Sequence, residues 1–216
     1  MAAAATAETR TVDHATVVFD RLQRTYPDAG IQLDHRDAGE LLVSVILSAQ
    51  CTDVRVNLIT PALFERYPDL RAFAAADVDE LAEQIRTCGL FRNKARSIIG
   101  AAATIVDRHG GEVPRTREAL MALPGIGRKS ANVILSNAFG QDAFAVDTHV
   151  GRLARRLGFS DSPSPDRVER DVTALLPRER WSRAHHLLIW HGRRCCHARN
   201  PACERCPLAD LCPSRR

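Results

Sequence analysis

The stretch "REALMALPGIGRKSANVILSNAFG", residues 117–140, decides how the chain is read. Apolar residues recur at helical period on both sides of a Pro-Gly-Ile-Gly break. Pro124, Gly125 and Gly127 end one helix, and a second begins near Gly127. Glycine accepts backbone angles that side chains forbid, and it lets the main chain approach a ligand closely. The second helix opens with free N–H groups and the positive end of its dipole, which suits a phosphate. Ile126 is placed to plug into the helix pair and fix its angle. Taken alone, the pattern serves equally for a plain turn between two helices.

Outward from this turn, nearly every segment reads at helical period. "VDHATVVFDRLQRTYP" offers Asp13 as an N-cap. "DAGELLVSVILSAQ" is nearly all apolar after its first turn, which predicts a buried central helix. "DVRVNLITPALFERYP" is expected to kink or split at Pro61. "DVDELAEQIRTCG" starts acidic and ends on Gly89, and "NKARSIIGAAATIVDRHGG" ends on a glycine pair, as dipoles and C-caps favour. "DTHVGRLARRLG", "SPDRVERDVTALLP" and "RERWSRAHHLLIWHG" complete the series. No alternating strand run, hairpin dipeptide or repeat interrupts it. The predicted fold class is all-α.

The chain has 216 residues, enough for one large domain or two small ones. Its 45 % hydrophobic and 26 % charged content is that of ordinary soluble proteins, and no apolar run is long enough to span a bilayer. The alanine-rich start lacks the basic flank of a signal peptide, so a frayed terminus and a cytoplasmic location are expected. A net charge of +4 is compatible with a polyanionic partner without requiring one. Of 30 basic residues only Lys94 and Lys129 are lysines. Arginine stays protonated and cannot be a nucleophile, whereas lysine can when burial or positive neighbours lower its pKa. Lys129 follows Arg128 at the expected start of a helix. Its ordinary alternative is a surface lysine after a turn. Asp147, between an apolar run and "THVGRLARRLG", serves as an N-cap, as a carboxylate aimed into a groove, or as both.

There are seven cysteines. Cys51 and Cys88 sit singly in apolar surroundings and read as core thiols. Cys195, Cys196, Cys203, Cys206 and Cys212 crowd the C-terminal end, which points to metal rather than disulfides. Cys196, Cys203, Cys206 and Cys212 are spaced C-x6-C-x2-C-x5-C. Four thiolates in one loop can surround a tetrahedral zinc or a cubic iron–sulfur cluster, and spacing leaves both open.

The Gly-Ile-Gly turn resembles the helix-hairpin-helix element, which grips a DNA backbone without reading sequence. The longer stretch "LPGIGRKSANVILSNAFGQDAFAVDTHVGRLARRLG" closely resembles the core of the endonuclease III family of DNA glycosylases. The likeness continues through "LLVSVILSAQCTDVRVN", "GLFRNKA" and "HHLLIWHGRRCCHARNPACERCPLADLC", from about residue 33 to 212. Cys51 departs from it, standing where small residues are usual.

The resemblance implies two all-α domains with a DNA groove between them. Residues 31–141 would form the six-helix domain with the hairpin, and 1–30 plus 142–216 the cluster domain. It implies a [4Fe–4S] cluster on Cys196, Cys203, Cys206 and Cys212, with Cys195 outside the ligand set and Arg199 meeting phosphate. Gly125, Ile126, Gly127 and Arg128 would hold the DNA backbone. Lys129 would be the catalytic lysine, attacking the sugar C1′ and forming a Schiff base. Asp147 would be the catalytic aspartate, stabilising positive charge on the sugar.

Gln50 matches a glutamine that fills the gap left by the extruded base, and Leu90 the opposing wedge. Their ordinary alternatives are a polar helix end and a core leucine. His149 would line the groove. His185, His186 and His191, among apolar neighbours, read as packed rather than ligating. The implied activity is removal of oxidised pyrimidines from duplex DNA, followed by lyase cleavage. The expected protein is a bacterial monomer of the nucleoid with no membrane partner. Rival readings are an adenine or thymine mismatch glycosylase, both lacking a lysine at this position, and a non-catalytic DNA-binding module.

Overall fold

A computed structural model describes residues 10–215, so most of the alanine-rich start lies outside the described residues. These residues form eleven α-helices and no strand, as expected of an all-α chain. In order they are α1 (Val12–Thr25), α2 (Ala38–Ser48), α3 (Asp53–Arg66), α4 (Leu70–Ala74), α5 (Val78–Gln84) and α6 (Phe91–His109). Then follow α7 (Arg117–Met121), α8 (Arg128–Phe139), α9 (Thr148–Arg156), α10 (Pro165–Thr173) and α11 (Trp181–Arg194). The chain divides into two compact units, Gln32–Gln141 and Met1–Ile31 with Asp142–Arg216.

The Gln32–Gln141 unit holds α2 to α8. Its centre is α2, buried from Glu40 to Leu47 and packed against α3, α6 and α8. The cap explains its start. The Asp37 carboxylate accepts from the Glu40 amide at 2.9 Å, and Glu40 reaches back to the Arg36 amide at 2.6 Å. Pro61 does not split α3, which runs unbroken to Arg66 because Val56, Thr60, Leu63 and Phe64 stay packed on one face. Nor does α5 reach Gly89. It ends at Gln84, and a turn closed by the Cys88 amide on Ile85 O (2.8 Å) buries both Ile85 and Cys88.

The other unit packs α1, α9, α10 and α11 around Phe19, Leu22, Phe144, Leu153, Phe159 and Leu188. Each such fully buried side chain contributes roughly 1.5–3 kcal/mol. The N-cap of α1 is Thr11, accepting from the His14 amide at 3.2 Å; Asp13 lies inside the first turn, where it meets the helix dipole instead. The N-terminal segment stays with the C-terminal half through α11. Arg183 donates to Gln23 Oε1 at 2.7 Å and to Tyr26 O at 3.1 Å, and Trp190 Nε1 donates to Gly30 O at 3.1 Å. Close packing of α9 on α11 depends on Gly192, where a Cβ would lie 3.0 Å from both His149 Nδ1 and Arg152.

Candidate functional site

The hairpin is built as the glycines require. Gly125 has φ 81°, and a Cβ there would meet Ser97 Cβ at 2.8 Å, so both angle and space exclude a side chain. Ile126 is buried, and its amide bonds to Leu123 O at 3.2 Å. Gly127 is the extended N-cap of α8 and offers no side chain to cap the first-turn amides. Lys129, the second residue of α8, is exposed, and Arg128 is half-buried. In the other unit, Asp147 caps α9 by accepting from the Val150 amide at 2.8 Å. The capping role read from sequence is therefore present, and the carboxylate is only half-buried.

Gln50 and Leu90 are both exposed and both left-handed, with φ 53° and 60°. Leu90 is 55 % exposed, which removes its reading as core. The two turns are neighbours, since a Cβ on Gly89 would lie 3.7 Å from Gln50 O. Cys51 is also corrected. It is only partly buried and lies 3.4 Å, sulfur to sulfur, from the fully buried Cys88. Next to them is the other lysine. Lys94 is 4 % exposed and donates to Leu47 O at 2.8 Å, and burial lowers its pKa.

The C-terminal cysteines line one cavity of about 310 Å³. Cys196, Cys203, Cys206 and Cys212 border it, with Cys195 and His191. Among the described residues the tightest donor group is His191, Cys195 and Cys206, whose ligating atoms lie within 4.8 Å of one another. His191 is buried, its Nδ1 3.1 Å from the Tyr26 hydroxyl and its Nε2 3.6 Å from Cys206 Sγ. Burial pushes its pKa down to about 4, which keeps the ring neutral. Burial, then the Cys206 charge, pushes Cys195 up to about 12. Five cysteines border the cavity, and four thiolates are the soft set an iron–sulfur cluster takes. The guanidinium of Arg156, 3.1 Å from Cys196 Sγ, offsets thiolate charge there. The residues present fit a [4Fe–4S] cluster.

Two residues that pattern reading passed over organise this loop. Arg156 donates to His197 O at 2.7 Å and Ala198 O at 3.0 Å. Arg152 donates to Cys196 O at 2.9 Å and Gly192 O at 3.1 Å, and lies 3.1 Å from His149 Nδ1. Both stand on α9, the helix Asp147 caps. Their signal in the sequence is i, i+4 spacing within "RLARR", which marks one helix face. His149 is half-buried, and burial lowers its pKa. Arg199 is exposed on the loop. His185 and His186 are buried in the α11 core.

An all-α fold with a glycine hairpin and a C-terminal cysteine cavity is the arrangement that the resemblance to the endonuclease III family implies. A family model described as "HhH-GPD superfamily base excision DNA repair protein" matches residues 43–178. A second, the iron–sulfur binding domain of endonuclease III, matches residues 196–212. Endonuclease III of Synechocystis sp. is 50 % identical over 201 residues, covering 93 % of this chain and 92 % of that one. A solved non-covalent endonuclease III–DNA complex and a solved trapped endonuclease III–DNA covalent intermediate each share 47 % identity. Each superposes with a TM-score of 0.90, over 94 % of this chain and 96 % of the other. The chain belongs to the endonuclease III family.

Proposed function

We propose that the chain is a bifunctional DNA glycosylase and abasic-site lyase that removes oxidised pyrimidines from duplex DNA. The observation that carries the reading is the amine of Lys129, exposed at the uncapped start of α8 directly after the Gly125–Gly127 turn. Gly125, Ile126, Gly127 and Arg128 hold a phosphate of the DNA backbone. Lys129 Nζ attacks C1′ of the extruded nucleotide, the base departs, and a Schiff base forms. That imine acidifies the C2′ proton, and β-elimination breaks the C3′–O bond. Because Lys129 is exposed in the free protein, bound DNA completes the dry surroundings in which an amine is a good nucleophile.

Asp147 stabilises the positive charge that develops on the sugar. Gln50 and Leu90 occupy the gap in the stack, where their exposed, left-handed turns present them. His149 and Arg199 contribute to the DNA-facing surface. Cys196, Cys203, Cys206 and Cys212 hold the [4Fe–4S] cluster, which gives the loop between them a fixed shape when bound. We read the two compact units as the hairpin domain and the cluster domain, and the protein as a cytoplasmic, nucleoid-associated monomer.

Duplex DNA bearing thymine glycol tests the reading. Strand nicking with borohydride-trappable protein–DNA adduct supports it. Base loss without nicking assigns the chain to a monofunctional mismatch class, and neither event assigns it to a binding module.

A further inference from the structure

Cys51 and Cys88 are 37 positions apart, yet their sulfurs are 3.4 Å apart. A disulfide bond is ~2.05 Å long, so the two sulfurs stand about 1.4 Å short of a bond. The pair sits between two surface turns. Cys51 follows Gln50, and Cys88 comes two residues before Leu90. Cys51 is partly exposed and Cys88 fully buried, so one thiol can meet a soluble oxidant and the other waits behind it. Burial supports this order. Burial, before any other cause, pushes the Cys88 thiol up to about 11, and the nearby Lys94 ammonium acts against that rise.

We propose that Cys51 and Cys88 form a reversible intramolecular disulfide that ties the Gln50 turn to the Leu90 turn and slows base extrusion. The oxidant is a low-molecular-weight disulfide. The Cys51 thiolate attacks one of its sulfurs and releases one small thiolate. Cys88, once deprotonated, attacks Cys51 Sγ and expels the second. Two protein thiols are oxidised and one small disulfide is reduced to two small thiols, which take up the two protons that the cysteines lose. The bond itself depends only on the sulfur geometry. The slowing rests on the reading of Gln50 and Leu90 as the residues that enter the stack.

The test uses the cluster-loaded protein, kept anaerobic, in mixtures of glutathione and glutathione disulfide, with visible absorbance reporting cluster integrity. Acid quenching, alkylation and peptide mapping should find Cys51 joined to Cys88, and reductant should reverse it. Cys88→Ala should stop at a Cys51–glutathione adduct, while Cys51→Ala should leave Cys88 unmodified. Both variants should nick at the wild-type rate under reductant. The linked wild type should nick roughly tenfold more slowly, and neither variant should slow. A wild type that stops at the glutathione adduct, or keeps both thiols free, overturns the disulfide. A linked protein that nicks at the reduced rate overturns the slowing. Absence of nicking in the fully reduced wild type would count instead against the lyase assignment.

Discussion

Lys94 and Lys129 are the only lysines in the chain, and they occupy opposite environments within one unit. Lys94 is 4 % exposed, held on Leu47 O, with its pKa lowered by burial. Lys129 is exposed on the first turn of α8. By the usual association of perturbed pKa with function, Lys94 would be chosen. Position argues the other way. The amine of Lys94 is spent on a main-chain carbonyl at the end of the central helix, out of reach of a large substrate. A reagent aimed at DNA must stand where DNA can arrive. Burial therefore marks the structural lysine, and exposure beside the Gly125–Gly127 turn fits the reactive role proposed for Lys129.

The sharpest way to break this contrast is to remove the exposed amine. Lys129→Ala should lose borohydride trapping and lower strand nicking by ~10³-fold or more, with an unchanged melting temperature. Full trapping in that variant would place the nucleophile elsewhere, and Lys94 would be the next candidate. Asp147→Asn should cost about 10²-fold in turnover while DNA affinity and stability hold, since asparagine also caps helices. Asp147→Ala would confound the two roles by removing the Val150 cap bond, worth ~1 kcal/mol.

Lys94→Ala should do the reverse of Lys129→Ala. It removes buried stem packing and the donor to Leu47 O, at a cost of about 2 kcal/mol by chemical denaturation, and leaves trapping within about twofold. The smallest effect is in the pH dependence. The folded-state pKa of Lys94 lies below the ordinary 10.5, so between those two values the unfolded chain binds more protons than the folded one. Stability should therefore rise with pH across that window, relative to Lys94→Met, and level off above 10.5. A difference that stays flat through the window would mean the ammonium is better solvated than its burial implies.

Much of the fold was legible because it is locally encoded. The period of apolar residues gave α2 its burial, Gly110 ended α6 in the left-handed conformation expected of a C-cap, and Asp147 capped α9. Where reading failed, a neighbour decided. Thr11 outcompeted Asp13 as the cap of α1, and α5 stopped early because Ile85 and Cys88 are drawn into the core. Glycine spacing marked a turn between two helices and cysteine spacing a metal loop, while the family resemblance supplied the DNA-gripping hairpin and the four-cysteine ligand set.

By itself, then, the sequence determined the helices, the hairpin at Gly125–Gly127, the placement of Lys129 and Asp147 at helix starts, and the four-cysteine loop. Each follows from residues close in sequence, the longest span being the loop from Cys196 to Cys212. Only the tertiary structure decided which lysine is buried, that Cys51 meets Cys88, and that Arg152 and Arg156 hold the cysteine loop. Those contacts join positions some forty residues apart. Chain packing sets such distances, and no short-range pattern carries them.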